Sequence, residues 1–229
     1  MRKKLVFVLS LVSLLVSAQK NLKEIGLEDL SKEMSIKGNF VSGVRYDDTE
    51  GTHFVIQAET NLLTPKSAVE ASKNYELINI DGRVDTIRNI EADFRIKGLF
   101  SYHFVVNNDS TVFIWKHLDH MKDCVYNNLT AAYLNKPLIT DIDNNGLAEV
   151  WLIYQLGCRA DNTVGLGMKL VLYQGKEASV IRGIRQPKSS SDATVQDDQS
   201  VMPDESFKAL HPAIKTYAFE LWNKYKTEE

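Results

Sequence analysis

Residues 99–117 have the sequence LFSYHFVVNNDSTVFIWKH, and this stretch decides the fold class. The segments 99–106 and 111–117 are rich in β-branched and aromatic residues, which favour strands. The residues between them, Asn107-Asn108-Asp109-Ser110, are typical of a tight turn. The stretch therefore predicts a β-hairpin.

The same pattern recurs on both sides of this hairpin. No helical segments alternate with the strand-like runs, so we predict a mainly β domain of antiparallel sheet, either sandwich-like or an open barrel. The other predicted strands are 40–46 and 52–60 around the turn 47–51, 75–80 and 83–87 around Asp81-Gly82, 150–154, and 167–173 and 178–184 around Gln174-Gly175.

The chain ends in a helical pattern that follows a polar segment. Residues 186–205 are rich in Ser, Asp, Gln and Pro and predict a long solvated loop. Pro212 suits the first turn of a helix, and we predict a C-terminal amphipathic helix at 212–226. A second, shorter helix is predicted at 22–33. The apolar stripe of the C-terminal helix consists of Ile214, Tyr217, Ala218, Leu221, Trp222 and Tyr225.

The first 18 residues have the pattern of a cleavable secretory signal. Three basic residues at 2–4 precede an apolar run at 5–16, and Val16-Ser17-Ala18 supplies small residues for cleavage. The run is short for a bilayer core about 30 Å thick. We therefore expect a signal peptide at 1–18, export to the periplasm or cell surface, and one β-rich domain at 19–229 without a membrane span.

Composition and charge exclude several classes of protein. The 229 residues are 44% hydrophobic and 25% charged, as in an ordinary globular domain. Removal of residues 1–18 removes three positive charges and no negative ones, which takes the formal net charge from −3 to −6. Such a chain lacks the basic field that nucleic-acid binding needs, and we expect no nucleic-acid partner.

The only two cysteines, Cys124 and Cys158, both lie beyond the predicted cleavage site. In an oxidising compartment an even pair favours a disulfide, and the alternative is two buried thiols that never meet. Closing a loop of about 35 residues would stabilise the fold by about 3–4 kcal/mol in the chain-entropy model.

Residues 141–149, DIDNNGLAE, carry the one constellation of residues with recognisable chemistry. Oxygen-bearing side chains occupy loop positions 1, 3, 5 and 9, and Gly146 at position 6 permits a sharp bend. Leu152 at position 12 departs from the EF-hand, which needs a Glu there. We predict a weak, structural calcium site, and the alternative is a solvated turn at Asn145-Gly146. The predicted ligands are Asp141, Asp143, Asn145, the Leu147 carbonyl and Glu149.

The histidines do not form a recognisable metal site. His117, His120 and Cys124 lie close in sequence, but their spacing does not match a zinc site. His53 and His103 lie in strand-like runs and are expected to be structural. The sequence also contains no G-x-S-x-G, H-E-x-x-H, P-loop or Gly-rich dinucleotide motif, which favours binding over catalysis.

A series of short motifs is spread over residues 40–225. The motifs are LFSYH at 99–103, Trp115-Lys116, Lys122-Asp123-Cys124, LITDIDNNGLAEVWLIY at 138–154, CRAD at 158–161, MKL at 168–170, YQGK at 173–176, IRG at 181–183, Tyr217-Ala218 and LWNK at 221–224. In this order they resemble a family of small exported proteins of gram-negative bacteria, named for surface-polysaccharide biosynthesis. The chain departs from the family in the polar segment 186–205, which is shorter and more aromatic in the family.

The resemblance implies a role in envelope polysaccharide and carries no catalytic residues across. We expect a non-enzymatic envelope protein that supports surface-polysaccharide production or display by binding glycan or the assembly machinery. Trp115, Trp151 and Tyr154 are candidates for stacking on sugar rings, and core packing is the alternative for each. Two other functions stay open: a calcium-stabilised enzyme acting on envelope glycan, and a secreted protein-interaction module.

Overall fold

Two antiparallel sheets dominate the computed structural model, which describes residues 20–62, 76–78, 84–86, 95–108, 110–122, 124, 126, 128–187 and 201–228. Within these residues, neither sheet closes on itself, and the fold is sandwich-like, as the sequence predicted. The predicted signal peptide at 1–18 lies outside the described residues.

Most strands that are neighbours in the sequence are also neighbours in a sheet. The first sheet has the order β1-β2-β3-β6-β7, the second has the order β13-β12-β11-β10-β8 with β9 also paired to β10, and β4 and β5 pair separately. The elements are β1 (Lys20–Ile25), β2 (Asn39–Asp47), β3 (Thr52–Glu59), β4 (Glu76–Ile78), β5 (Val84–Thr86), β6 (Lys97–Asn107), β7 (Ser110–Met121), β8 (Asn128–Tyr133), β9 (Leu138–Thr140), β10 (Glu149–Arg159), β11 (Leu166–Gln174), β12 (Glu177–Arg185), β13 (Met202–Pro203), α1 (Glu205–Lys208) and α2 (Pro212–Tyr225).

The hairpin predicted from residues 99–117 is the β6–β7 pair. Asn107 lies opposite Ser110, and Asn108 has a φ of 47°, a conformation that Asn tolerates better than most residues. A bulge follows His103, so that two consecutive residues of β6, His103 and Phe104, pair with Trp115 and Phe113. The bulge lets Trp115 face the second sheet while Phe113 packs on the outer face.

Three hydrophobic layers hold the sheets and the helix together. The central layer lies between the two sheets and includes Val55, Leu99 and Leu152. A second layer packs helix α2 on the outer face of the second sheet. The third covers the outer face of the first sheet with residues that follow β1, among them Met34. Each sheet is therefore apolar on both faces, which explains the long apolar runs of β6 and β10.

Helix α2 confirms the predicted C-terminal helix. Its buried residues are Ile214, Ala218, Leu221 and Trp222, and partly buried Tyr217 and Tyr225 complete the predicted stripe. The helix begins at Pro212, whose missing N–H is not needed in the first turn.

Two local predictions are wrong. Residues 22–33 form strand β1 and one 3₁₀ turn at Leu27–Asp29 instead of a helix, because Lys23 to Ile25 pair with β2 and Gly26 ends the strand. The polar loop is also shorter than predicted at its C-terminal end. Met202–Pro203 pairs with β12, and Asp204 caps helix α1 through the Phe207 N–H. Residues 188–200 of the loop lie outside the described residues.

Cys124 and Cys158 form the predicted disulfide, with their Cα atoms 5.4 Å apart. It joins the segment before β8 to the end of β10. None of the described helices has the length and apolarity required to span a membrane.

Candidate functional site

The acidic loop, residues 141–148, connects β9 to β10. Thr140 at the end of β9 pairs directly with Glu149 at the start of β10, so the two ends of the loop lie side by side. Asn144 and Gly146 have φ values of 55° and 84°, the left-handed conformation that these two residue types accept most readily. The short Asn- and Gly-containing sequence thus folds the loop back on itself.

This fold brings three carboxylates together. One oxygen from each of Asp141, Asp143 and Glu149 lies within 4.8 Å of the others. Glu149 is fully buried and accepts hydrogen bonds from the Thr140 hydroxyl at 2.7 Å and the Ile142 N–H at 2.9 Å. Carboxylates clustered in this way are the donors that a hard divalent cation prefers, and the triad could hold a metal ion.

The electrostatics of the loop fit a cation. Burial raises the pKa of Glu149, and the negative charge of Asp143 adds to the rise, whereas the hydrogen bonds to Glu149 oppose it. The Asp141 Oδ2 accepts from the Gly146 N–H at 3.2 Å, but its Oδ1 is sealed from solvent and has no hydrogen-bond partner among the described residues. The loop therefore concentrates negative charge and leaves one buried carboxylate oxygen without a hydrogen-bond partner among the described residues.

The remaining predicted ligands are the Asn145 side chain and the Leu147 carbonyl; the Asn145 side chain and the Leu147 N–H hydrogen-bond within the loop. The Leu147 N–H donates to the Asn145 Oδ1 at 2.7 Å, and the Asn145 side-chain amide donates to Asp143 at 3.0 Å. Both residues are exposed. The structure thus brings the three predicted acidic ligands close together, whereas the Asn145 side chain forms hydrogen bonds within the turn.

The predicted sugar-stacking rings lie in the core. Trp115, Trp151 and Tyr154 are 6%, 0% and 1% exposed, and none offers a ring face to solvent. Trp115 stacks on Tyr173 across the sheets with centroids 4.0 Å apart, and the Trp151 N–H donates to the Thr140 hydroxyl. Core packing, the alternative for each ring, is what the structure has, because all three lie on strand faces covered by another layer.

A buried polar chain occupies one part of the central layer. The His53 Nε2 lies 2.6 Å from an Asp48 carboxylate oxygen, and the His53 Nδ1 lies 2.8 Å from the His103 Nε2. The other ring nitrogen of His103, Nδ1, is buried without a hydrogen-bond partner among the described groups. Burial, helped by repulsion from His53, lowers the pKa of His103 to about 3.

His117 anchors a second buried chain. Its Nδ1 and Nε2 lie 3.0 Å from the Tyr173 hydroxyl and 2.8 Å from the Tyr154 hydroxyl. Burial lowers the pKa of His117 to about 4, although the nearby Asp119 charge opposes the shift. His103 and His117 therefore lie in the core, where burial favours the neutral form of each ring, and His53 is buried beside Asp48.

A pocket of about 320 Å³ opens on the helix side of the second sheet, next to the acidic loop. Gln174 and Glu177 from the β11–β12 turn form one wall, His211 at the start of α2 forms another, and Asp143 belongs to both the pocket and the carboxylate triad.

Sequence reasoning did not find this pocket. Its lining comes from three segments that together span more than 60 residues of sequence, from Asp143 to Ile214, and the packing of α2 against the second sheet brings them together. The one local sign was His211 directly before Pro212, which marked a helix start.

No protein-family model matches the chain, and neither the curated proteins nor the solved structures contain a match.

Proposed function

We propose that the chain is an exported envelope protein that supports surface-polysaccharide production or display by binding glycan. The pocket beside the acidic loop carries this proposal, because carboxylate, amide, imidazole and apolar side chains all line it, and this mixture suits a hydroxylated ligand. The signal-like residues 1–18 and the Cys124–Cys158 disulfide support export. The resemblance to the surface-polysaccharide family supports the choice of glycan.

We further propose that the occupant of the acidic loop is calcium in a structural role. Asp141, Asp143 and Glu149 would hold the ion, and the unpartnered Asp141 Oδ1 fits such a ligand. A bound cation would neutralise the clustered carboxylates. Because Asp143 also lines the pocket, an ordered loop would fix that pocket wall.

Disruption of the gene, with complementation from a plasmid, tests the envelope role. We expect a lost or shortened surface-polysaccharide profile, restored by the wild-type gene. An unchanged profile in the disrupted strain would contradict the proposal.

A second candidate, an enzyme acting on envelope glycan, is favoured by one observation: Asp143 and Glu177 place two carboxylates in the same pocket. Incubation of the purified protein with surface polysaccharide, followed by an assay for new reducing ends, separates the two functions. Binding without new reducing ends supports the proposed function. New reducing ends that the wild type forms and a Glu177→Gln variant does not form support the enzyme.

A further inference from the structure

We infer that the pocket beside the acidic loop takes one neutral, hydroxyl-rich ring, such as a single uncharged sugar unit. The inference rests on the proposed glycan-binding function and assigns that function a ligand class and a set of residues. It follows from the size, the charge and the hydrogen-bonding groups of the pocket.

The size of the pocket limits the ligand to a small one. A volume of about 320 Å³ lies at the lower end of the range of ligand pockets, about 300–1,000 Å³. Such a space holds one ring and its substituents, but not a long stretch of polymer. The pocket therefore suits a chain end or one side-branch unit of a polysaccharide.

The charge of the pocket selects against anions. Glu177 contributes a carboxylate that is not part of the proposed calcium site, and the described residues that line the pocket include no Lys or Arg. A phosphate or a uronic acid would meet the like charge of Glu177 there without a Lys or Arg side chain to pair with. The expected ligand is therefore not acidic.

The hydrogen-bonding groups favour a hydroxylated ligand over an amine. The His211 Nδ1 accepts from the Ala213 N–H at 3.3 Å, so the Nε2 of the ring carries a proton and can donate. Gln174 can both donate and accept, and Glu177 accepts. Hydroxyl groups use both kinds of partner, whereas an ammonium group uses only acceptors.

The apolar part of the pocket suits the C–H face of a sugar ring. Ala178 and Ala209 are exposed and Leu210 is half-buried, so these three residues supply the apolar surface that a ligand can touch. Leu172 and Ile214, at 1% and 0% exposed, lie beneath that surface and are held by the core.

Saturation-transfer NMR with the mature protein tests the inference. The probes are the methyl glycosides of glucose, galactose and mannose and free N-acetylglucosamine, with glucuronate and glucosamine as charged counterparts. Glu177→Gln removes an acceptor charge, and Ala209→Trp fills the pocket from an exposed position on its rim. Glu205→Gln is the matched control, because Glu205 is exposed on α1 outside the lining. Thermal melts establish that each variant folds.

We expect transfer to at least one neutral probe, about tenfold weaker binding in Glu177→Gln, loss of transfer in Ala209→Trp, and no change in Glu205→Gln. Absence of transfer to all the neutral probes, equal transfer in Ala209→Trp, or a preference for glucuronate or glucosamine would overturn the inference. If Ala209→Trp still binds isolated surface polysaccharide like the wild type, the pocket assignment fails while the proposed function stands. If the wild type binds no polysaccharide, the proposed function fails as well.

Discussion

At the scale of single residues, Asp141 is the residue that favours a metal site over a simple turn in the acidic loop. Its Oδ1 is buried without a hydrogen-bond partner among the described residues, while Asp143 and Glu149 add negative charge within 4.8 Å. A buried polar atom without a partner is unfavourable by about 1–3 kcal/mol. A divalent cation would satisfy that oxygen and remove the repulsion.

Calcium is therefore expected to raise the melting temperature of the mature protein, and Asp143→Ala is expected to abolish the rise. The reason is that the variant loses one of the three clustered carboxylates. Differential scanning fluorimetry with and without millimolar calcium measures the effect. Asp161→Ala, which removes an exposed carboxylate from another turn, is the control and should keep the rise. No shift in the wild type, or an equal shift in Asp143→Ala, would show that the loop is only a turn.

In the core, the hydroxyl of Tyr154 contributes to stability through its hydrogen bonds. Its hydroxyl donates to Asp119 at 2.8 Å and lies 2.8 Å from the His117 Nε2. Tyr154→Phe leaves both partners short of a contact, and we expect the free energy of unfolding to fall by about 1–3 kcal/mol. Urea denaturation measures the change. The exposed Tyr126→Phe should change it by less than about 0.5 kcal/mol, and equal effects of the two substitutions would refute the role of the Tyr154 hydroxyl.

At the scale of elements, turn chemistry made the β6–β7 and β11–β12 hairpins predictable. Asn108 and Gly175 adopt positive φ values that their residue types accept, so the local sequence and the fold agree. Residues 22–33 show where local reasoning failed. Their helical spacing was overridden when Lys23 to Ile25 found backbone partners on β2, a contact that depends on a distant strand.

The disulfide ties the segment before β8 to strand β10 of the second sheet, since Cys124 precedes β8 and Cys158 lies on β10. Reduction should lower the free energy of unfolding by about 3–4 kcal/mol, since it releases a closed loop in the unfolded chain. Alkylation of the unfolded, unreduced protein followed by mass spectrometry should show no modified thiol. Two freely alkylated cysteines would contradict the bond, and a Cys124→Ser/Cys158→Ser double variant should match the reduced protein in stability.

At the scale of the whole molecule, burial of neutral histidines between the sheets makes stability depend on pH. Burial lowers the pKa of His117 to about 4 and that of His103 to about 3, from an ordinary value of 6.5. Below pH 6.5 the unfolded chain therefore binds protons that the folded chain refuses, and stability falls as pH falls. Glu149 acts in the opposite direction, because its raised pKa lets the folded state take up that proton first.

We expect the free energy of unfolding to be highest above pH 6.5 and to fall by about 1.4 kcal/mol per pH unit for each of the two histidines down to about pH 4. Urea denaturation over this range measures the slope, and His117→Gln should reduce it. Tyr173→Phe is the control, because it removes a hydrogen-bond partner of His117 but keeps the titratable His117 imidazole, so the slope should remain. The same slope in His117→Gln as in the wild type would contradict the assignment.

The candidate site shows how far sequence reasoning could go. The acidic loop was recognisable because its candidate ligands lie within nine consecutive residues, from Asp141 to Glu149. The pocket was not, because Gln174, Glu177 and His211 meet only after α2 packs on the second sheet. Trp115 and Trp151 could not be assigned to surface or core from sequence, since both sheets are covered on both faces.

The most direct test of the central claim is equilibrium binding of the mature protein to surface polysaccharide isolated from the cells that produce it. We predict saturable binding by the wild type, its loss in Ala209→Trp, and its retention in Glu205→Gln. Absence of binding by the wild-type protein would contradict the proposed function.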